Sequence, residues 1–239
     1  MDVSDAFEKL KQLAPSTRYE PAEEVGPSGT CTSGHRDQRI PAELAGMIQY
    51  ATLPGGKRIP MLKTLLTSAC ERNCRYCPFR AGRDFRRISF HPEELAALFS
   101  RLYQAHLVQG IFLSSGIAGG GPHIQDKLIQ TAEILRERHQ YTGYIHLKLM
   151  PGAEIAQVER SMQLADRVSV NLEAPTSEVL ARLAPHKQLV EELVQPLRYV
   201  EQIRRAHGGN PGSWGNPYRS GPSQTTQFVV GPGGETDRE

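Results

Sequence analysis

Residues 62–105 read LKTLLTSACERNCRYCPFRAGRDFRRISFHPEELAALFSRLYQA, the strongest structural signal in the chain. The stretch begins with a short apolar and β-branched run, residues 62–67, which predicts a strand. A loop with three cysteines follows, and Pro92 then begins a segment to Ala105 whose apolar residues recur at helical spacing. These residues therefore predict one strand–loop–helix unit, with the cysteines directly after the strand.

The same alternation of strand and helix continues to the end of the chain. After a short N-terminal helix at 5–13 and the unit above, we predict strands at 110–114, 144–149, 168–172 and 227–230, and helices at 124–139, 153–165, 176–183 and 189–206. Strands that alternate with helices of this length are typical of an α/β protein with a parallel sheet. Functional groups then belong at the carboxyl ends of the strands.

Composition limits the class of protein. The 239 residues suit one domain of moderate size, and 28 Lys and Arg against 26 Asp and Glu give a net charge of +2. This balance disfavours a globally basic nucleic-acid binder and an acidic disordered chain. The first residues, MDVSDAFEKL, lack the apolar region of a secretory signal, and no run of eighteen apolar residues occurs. We therefore predict a cytoplasmic protein with reduced thiols.

Cys70, Cys74 and Cys77 form a CxxxCxxC triplet. A reducing compartment disfavours a disulfide, and a thioredoxin-like Cys74-x-x-Cys77 pair leaves Cys70 unexplained. Structural zinc needs a fourth ligand, which would be Cys31 or a histidine without paired spacing. Three thiolates on a four-iron cluster would leave one iron open for chemistry. The spacing alone leaves zinc and iron–sulfur as alternatives.

The triplet resembles the signature of the radical S-adenosylmethionine (SAM) superfamily, where it follows the first strand of a partial (β/α)6 barrel. Its spacing, its position and the aromatic Tyr76 before the last cysteine agree with that signature. The resemblance implies a 4Fe–4S cluster on Cys70, Cys74 and Cys77, with SAM on the open iron. It also implies reductive cleavage of SAM to a 5′-deoxyadenosyl radical that abstracts hydrogen from substrate, and an external electron donor as partner.

By the same resemblance, the turns after the later strands contact SAM. The turn Ser114-Ser115-Gly116 stands where the superfamily meets the SAM amino group, although it lacks the usual Gly-Gly-acid form. Side chains alternate across a strand, so Ser169, Asn171 and Glu173 share one face of the strand at 168–172 and its end. Asn171 and Glu173 are then the expected ribose contacts.

Four further residues are candidates for the SAM site. Tyr76 is expected on the adenine side. His146 and Lys148 share a face by alternation, and either could reach the SAM carboxylate or a substrate anion, while a buried core role explains each equally well. The segment QFVVGPGGET resembles the ending of the superfamily's fifth strand, with Gly233 in place of the usual proline. Gly231 would then form a backbone wall beside adenine.

A narrower resemblance covers most of the chain. It runs from about residue 46 to the end and is carried by LLTSACERNCRYCPFR, GIFLSSGI, GYIHLKLMPGA, LADRVSVNLEAP and TTQFVVGPGGETDRE. These segments are similar to a prokaryotic family described as DNA modification or repair radical SAM proteins, encoded beside uracil-DNA-glycosylase-like proteins. The resemblance implies DNA as substrate class and a glycosylase-like partner.

The members of that family are longer, so the resemblance also implies a chain truncated after about five βα units. We predict an N-terminal extension at 1–60, partly irregular, and a radical SAM core at 61–239 with a Gly/Pro-rich loop at 208–226. Two alternatives to a radical enzyme remain: a non-catalytic module that binds zinc or an iron–sulfur cluster, and an inactive fragment.

Charge near the cysteines gives a separate indication of a partner. Six arginines lie between Cys70 and Phe90, opposed only by Glu71 and Asp84: Arg72, Arg75, Arg80, Arg83, Arg86 and Arg87. Such a patch can follow nucleic-acid phosphates, and it can equally serve the anionic cluster or ordinary surface ion pairs.

Overall fold

A computed structural model describes residues 3–17, 47–53, 56–84, 86–208, 214 and 221–231. These residues contain a six-stranded sheet whose spatial order follows the chain: β1 (Ile48–Thr52), β2 (Arg58–Leu65), β3 (Gly110–Ser114), β4 (Tyr144–Lys148), β5 (Arg167–Glu173) and β6 (Ser223–Phe228). β1 pairs antiparallel with β2, and β2 to β6 are all parallel. The sheet curls into a half-barrel, which confirms the predicted α/β class and partial (β/α) barrel.

Helices connect the parallel strands, because a parallel pair needs a crossover. The described helices are α1 (Val3–Thr17), α2 (Pro92–Gln104), α3 (Gly121–Glu133), α4 (Ile155–Leu164), α5 (Ser177–Leu183) and α6 (Gln195–Ala206). α3 continues into a π-helical segment, Ile134–Arg138, and another, Leu189–Val194, precedes α6.

Side chains from the two faces of the sheet enter different apolar clusters. Leu62, Ile111 and Ile145 belong to the larger cluster, which includes the buried residues of the helices. The other face carries a small cluster of Ala51, Ile59, Met61, Phe112 and Tyr144. This second face is the concave one, and we call the space that it encloses the lumen. Parallel strands buried on both faces explain the near-continuous apolar character of β3.

The structure changes several predicted boundaries. β1 was not predicted, because its five residues carry no clear alternation and its place depends on pairing with β2. The last strand lies at Ser223–Phe228 and not at 227–230, since β6 is an edge strand whose register is set by pairing with β5. Its polar, largely exposed side chains gave no apolar signal.

The predicted single helix at 189–206 is interrupted for a local reason. Pro196 lacks an N–H group, so it cannot donate to the carbonyl of Glu192 four residues earlier. That carbonyl instead accepts a hydrogen bond of 3.0 Å from Gly152 N–H, in the loop after β4. The π-helical segment is therefore attached to the loops at the carboxyl end of the sheet.

The predicted division at residues 60 and 61 falls inside β2, and β1 belongs to the same sheet. Most of the predicted extension, Cys31 and much of the 208–226 loop lie outside the described residues. Among the helices that the structure describes, none is long and apolar enough to cross a membrane.

Candidate functional site

A cavity of about 460 Å³ opens at the carboxyl ends of the parallel strands. Its wall includes the three cysteines and residues at or beyond the ends of β2, β3, β4, β5 and β6. Every predicted site residue except His146 and Gly231 lines it: Cys70, Cys74, Cys77, Tyr76, Ser114, Ser115, Gly116, Lys148, Asn171 and Glu173. The parallel topology explains this convergence, because it brings all carboxyl ends to one edge.

The three cysteines lie in the loop between β2 and α2 and are reduced thiols. Cys77 N–H donates to the carbonyl of Cys74 at 3.0 Å, which closes a turn between two of them. Cys70 Sγ accepts backbone hydrogen bonds from Arg72 at 3.4 Å and Ile117 at 3.5 Å. N–H donors of this kind stabilise a thiolate and tune a cluster bound to it.

Burial raises the pKa of the Cys74 thiol, and the nearby Lys187 ammonium opposes that rise. A bound metal centre deprotonates such a thiol outright, so burial does not prevent it from acting as a ligand. In the part of the chain that the structure describes, no three His, Cys, Asp or Glu side chains form a group that could hold a single metal ion. A 4Fe–4S cluster does not need them to meet at one point, because each thiolate binds a different iron.

Arg87 fixes the shape of the cysteine loop from within. Its guanidinium donates to the carbonyls of Ser68 at 2.8 Å, Phe79 at 2.6 Å and Arg80 at 2.9 Å. Arg72 ties the same loop to the segment before α6, through the carbonyl of His186 and through Glu192 Oε1 at 2.5 Å. These two arginines of the predicted patch therefore have structural partners.

The turn after β3 packs directly against the cysteine loop. Gly116 N–H donates to the carbonyl of Thr67 at 2.7 Å, and Ser115 Oγ accepts from Thr67 N–H at 3.3 Å. A Cβ on Gly116 would lie 2.3 Å from the carbonyl oxygen of Ala69. Glycine is therefore required here by close backbone approach, a reason that is independent of any ligand.

Asn171 and Glu173 reach the cavity by different geometries. Asn171 Oδ1 is buried and has no hydrogen-bond partner among the described residues. A bulge in the pairing with β6 follows Asn171, and Glu173 adopts a left-handed φ of +65°. The bulge interrupts the simple alternation that was predicted, yet Glu173 still lines the cavity. A buried acceptor without a partner is costly and indicates a place for a ligand donor.

Glu173 has a buried partner that the sequence did not reveal. Lys187 Nζ lies 2.8 Å from Glu173 Oε1, and both side chains are buried. Burial lowers the pKa of Lys187, but the charges of Glu173, Cys74 and Cys70 outweigh burial, so that the pKa ends above its usual value. Lys187 lies in the connection after α5 without a motif, so no local pattern could have identified it.

Tyr76 lies beside the same carboxylate. Burial is the main cause that raises the pKa of its phenol, and the charge of Glu173 and a hydrogen bond to it raise the pKa further. The phenol is thus held in its neutral form. Its expected position beside adenine stays a prediction.

His146 and Lys148 lie at different depths below the carboxyl edge of the sheet. Lys148 lines the cavity, whereas His146 lies below it, with Nε2 2.8 Å from Ser169 Oγ. Gly231 does not line the cavity, because β6 ends at Phe228, and Gln227, Phe228 and Val229 form that part of the wall. The expected contact of Gly231 with adenine stays a prediction. Gly233 lies outside the described residues.

The arginine patch is smaller than the sequence suggested. With Arg72 and Arg87 bonded to the protein, the remaining members are Arg75, Arg83 and Arg86, which are exposed, and Arg80, which is half-buried. Lys57 and Arg58 are also exposed, on the turn before β2 and at its start. Three exposed arginines therefore supply most of the positive charge that a partner could contact near the cysteine loop.

Residues 64–211 match the family described as the Radical SAM superfamily. The chain belongs to the radical SAM superfamily. Members of this superfamily use a 4Fe–4S cluster and SAM, the cofactors that the resemblance of the cysteine triplet implied. Comparison with curated protein sequences finds no match.

Solved structures with the same fold include radical SAM enzymes. The [FeFe]-hydrogenase maturase HydG from Carboxydothermus hydrogenoformans is 16% identical with a TM-score of 0.50, covering 60% of this chain and 33% of its own. Another HydG structure is 11% identical with a TM-score of 0.51, covering 72% and 35%. Methylornithine synthase (PylB) is 12% identical with a TM-score of 0.51, covering 60% and 41%. The chain thus spans well under half the length of each, and at these identities the likeness shows the fold.

The residues present fit the superfamily's cofactors. Three reduced thiols line the cavity, and Asn171 Oδ1 on its wall, which has no hydrogen-bond partner among the described residues, can accept from a hydroxyl. The cavity volume of about 460 Å³ lies within the range of roughly 300–1,000 Å³ that is usual for small-molecule sites. A metal-binding module without a ligand would need only the thiols and would leave the polar wall unexplained.

Proposed function

We propose that this chain is the catalytic core of a radical SAM enzyme, with the cluster on Cys70, Cys74 and Cys77 and SAM in the adjoining cavity. The observation that carries the proposal is the opening of the cysteine loop onto a cavity walled by polar residues of the strand ends. When bound, the two cofactors supply one-electron cleavage of a sulfonium and, from it, hydrogen-atom abstraction.

The protein's own residues would position these groups and exclude water. Asn171 would accept from a ribose hydroxyl, and the Ser114–Gly116 turn would face the amino group. The Lys187–Glu173 pair places a fixed cation and a fixed carboxylate beside the thiols, while Phe79, Met150 and Phe228 give the wall its apolar part. An apolar wall limits the access of water to a reactive species.

Electron paramagnetic resonance (EPR) tests this proposal directly. After anaerobic reconstitution with iron and sulfide and then reduction, we expect a 4Fe–4S signal that changes when SAM is added. C74S should lose the signal, and C31S is the matched control because Cys31 is outside the triplet. A protein that takes up zinc and no cluster, or a cluster signal indifferent to SAM, would refute the proposal and favour the metal-binding module.

For the substrate we propose DNA, in a modification or repair reaction. The exposed Arg75, Arg83 and Arg86, in the connection between β2 and α2 that carries the cysteines, support this choice, since guanidinium groups bind phosphates. A uracil-DNA-glycosylase-like protein and an external electron donor are the proposed partners, and both rest on the resemblance alone.

DNA binding is tested by its dependence on salt. We expect the logarithm of the affinity for single- and double-stranded DNA to fall with the logarithm of salt concentration. The triple variant R75A/R83A/R86A should flatten the slope by up to about 3, and R101A/R138A/R205A, which removes equal charge elsewhere, should not. Equal slopes for the two variants, or no measurable binding by the wild-type protein, would overturn the nucleic-acid proposal.

A further inference from the structure

The connection between α5 and the π-helical segment that follows it, residues 184–188, carries Lys187 into the wall of the cavity. The chain just before Lys187 is held to the cysteine loop by two hydrogen bonds. Arg75 N–H donates to the carbonyl of Leu183 at 2.9 Å, and the Arg72 guanidinium donates to the carbonyl of His186. The connection therefore lies against the loop that carries the cysteines.

The chain after Lys187 is held to the same loop through a carboxylate. Glu192 Oε1 accepts from the Arg72 guanidinium at 2.5 Å, and Glu192 Oε2 accepts from the N–H of Gln188 at 2.8 Å. Lys187 itself closes a turn, since its N–H donates to the carbonyl of Ala184 at 3.0 Å. The backbone of Lys187 is thus fixed relative to the cysteine loop from both sides.

The side chain of Lys187 is a buried cation in the wall that also contains the thiols. It is only 9% exposed, and Lys187 and Cys74 both line the cavity. Its ammonium lies 2.8 Å from Glu173 Oε1, which fixes its direction. Because solvent screens a buried charge much less than an exposed one, Lys187 can act on a charge that is bound at the thiols.

The two charges of the Glu173–Lys187 pair do not cancel at Cys74. Burial is the largest cause that shifts the pKa of the Cys74 thiol, and it raises that pKa. The Lys187 charge comes next and lowers the pKa of Cys74, and it outweighs the Glu173 charge, which raises it. The pair therefore presents a net positive potential to Cys74.

We propose that Lys187 is a positioning residue that raises the reduction potential of the iron–sulfur cluster, by holding a fixed positive charge beside the Cys74 thiolate. The inference rests on the cluster part of the proposed function and needs neither SAM nor DNA. Reduction adds one electron from a one-electron donor, with no bond formed or broken, so that the cluster becomes more anionic. A nearby fixed cation stabilises the more anionic state, and net charge is one of the features that set the potential of such clusters.

The reduction potential of the reconstituted cluster tests the inference. A redox titration followed by EPR, in the absence of SAM, compares the wild type with K187M and K187R. We expect K187M to lower the equilibrium constant for reduction about tenfold, which for one electron is a potential lower by about 59 mV. K187R keeps the positive charge and should stay within about twofold of the wild type. A wild-type potential in K187M would overturn the inference.

Two further variants separate an effect of charge from a general disturbance of the loop. E173Q removes the opposite charge, so we expect it to raise the potential, whereas a disturbance would shift E173Q and K187M in the same direction. K57M removes an exposed lysine before the start of β2, at the opposite end of that strand from the cysteine loop, and should keep the wild-type potential. Shifts of equal sign in K187M and E173Q, or an equal shift in K57M, would overturn the inference.

The double variant E173Q/K187M covers the case in which K187M does not take up a cluster, since an unpaired buried carboxylate destabilises the site. Because Lys187 outweighs Glu173 at Cys74, the double variant should still have a lower potential than the wild type, by less than the tenfold effect. A potential equal to or above that of the wild type would overturn the inference.

Failure of this inference can be separated from failure of the proposed function. Iron content and the EPR change on adding SAM are measured in the same preparations. A wild-type cluster that responds to SAM, together with a wild-type potential in K187M, refutes only the role of Lys187. If K187M also loses the SAM effect at that potential, Lys187 is assigned to SAM and the inference is overturned. A wild-type protein that takes up zinc and no cluster refutes the proposed function itself.

Discussion

The buried ion pair of Glu173 and Lys187 lies beside the thiols, and its charges should contribute strongly to stability. The two side chains are only 4% and 9% exposed. K187M would leave the carboxylate buried without its cation, so we expect a loss of about 3–5 kcal/mol in the free energy of unfolding. The double variant E173Q/K187M should recover much of this, because no charge remains unpaired.

An exposed pair provides the control for that measurement. Arg205 is 79% exposed and pairs with Glu201 at 2.7 Å. R205M should cost less than about 1 kcal/mol, because solvent screens the pair. Denaturant unfolding of the three variants and the wild type gives the comparison. Similar losses for K187M and R205M would show that the Glu173 pair is not buried in solution.

His146 makes the stability of the protein depend on pH in a defined direction. Burial lowers the pKa of His146 in the folded protein below its usual 6.5, so below that pH the unfolded chain takes up the proton first. This contribution to stability is therefore complete above pH 6.5 and is lost as the pH falls below it, by up to about 1.4 kcal/mol per pH unit.

The variant H146Q isolates this contribution, because glutamine can keep the hydrogen bond to Ser169 but does not titrate. Unfolding is measured between neutral and acid pH for the wild type, H146Q and H123Q, which changes an exposed histidine. We expect the wild type and H123Q to lose more stability with acid than H146Q does. Parallel pH profiles for all three proteins would contradict a buried neutral His146.

At the scale of elements, the loop after β2 and the turn after β3 hold each other in place. Because a Cβ on Gly116 would meet the Ala69 carbonyl oxygen at 2.3 Å, G116A must push the two segments apart. We expect a loss of about 1–3 kcal/mol in stability and a lower iron content after reconstitution, since Cys70 follows Ala69 directly.

G56A separates that effect from the general cost of replacing a glycine. Gly56 has a φ of +80° in the turn before β2, and apart from its chain neighbours no atom of the described residues lies within 4 Å of the added Cβ. Its replacement should cost about 1 kcal/mol through backbone strain alone and leave iron content unchanged. Equal iron content in G116A and G56A would show that the contact does not shape the cysteine loop.

For the whole molecule, the apoprotein should already fold cooperatively. The outer apolar cluster joins all the parallel strands up to β5 to their helices without any help from a cofactor. Because the iron–sulfur cluster and SAM bind only the folded chain, they should raise the melting temperature. At a ligand concentration a hundredfold above Kd, the expected gain in the free energy of unfolding is about 2.7 kcal/mol. Thermal melts before and after removal of the cluster by chelation measure this difference. A melt without a cooperative transition would favour the inactive fragment.

The sequence by itself determined the class of fold and the place of the chemistry. The alternation of strands and helices after Leu62 is local, because each element buries one face with a period of its own. Neighbouring parallel strands have their carboxyl ends at one edge of the sheet. The sequence therefore predicts that the cysteine triplet and the turn at Ser114 lie close together. These features depend on residue type and spacing, which can be read directly from the amino-acid sequence.

Only the tertiary structure decided which groups are paired and which are not. The position of β1 depends on its hydrogen bonds to β2, and the register of β6 depends on its hydrogen bonds to β5. Residues from different strands or loops meet to form the Glu173–Lys187 pair and the cationic surroundings of His146. The same is true of the buried surroundings of Asn171 Oδ1, which has no hydrogen-bond partner among the described residues. No local pattern encodes such meetings, because burial and charge depend on neighbours that only the folded chain supplies.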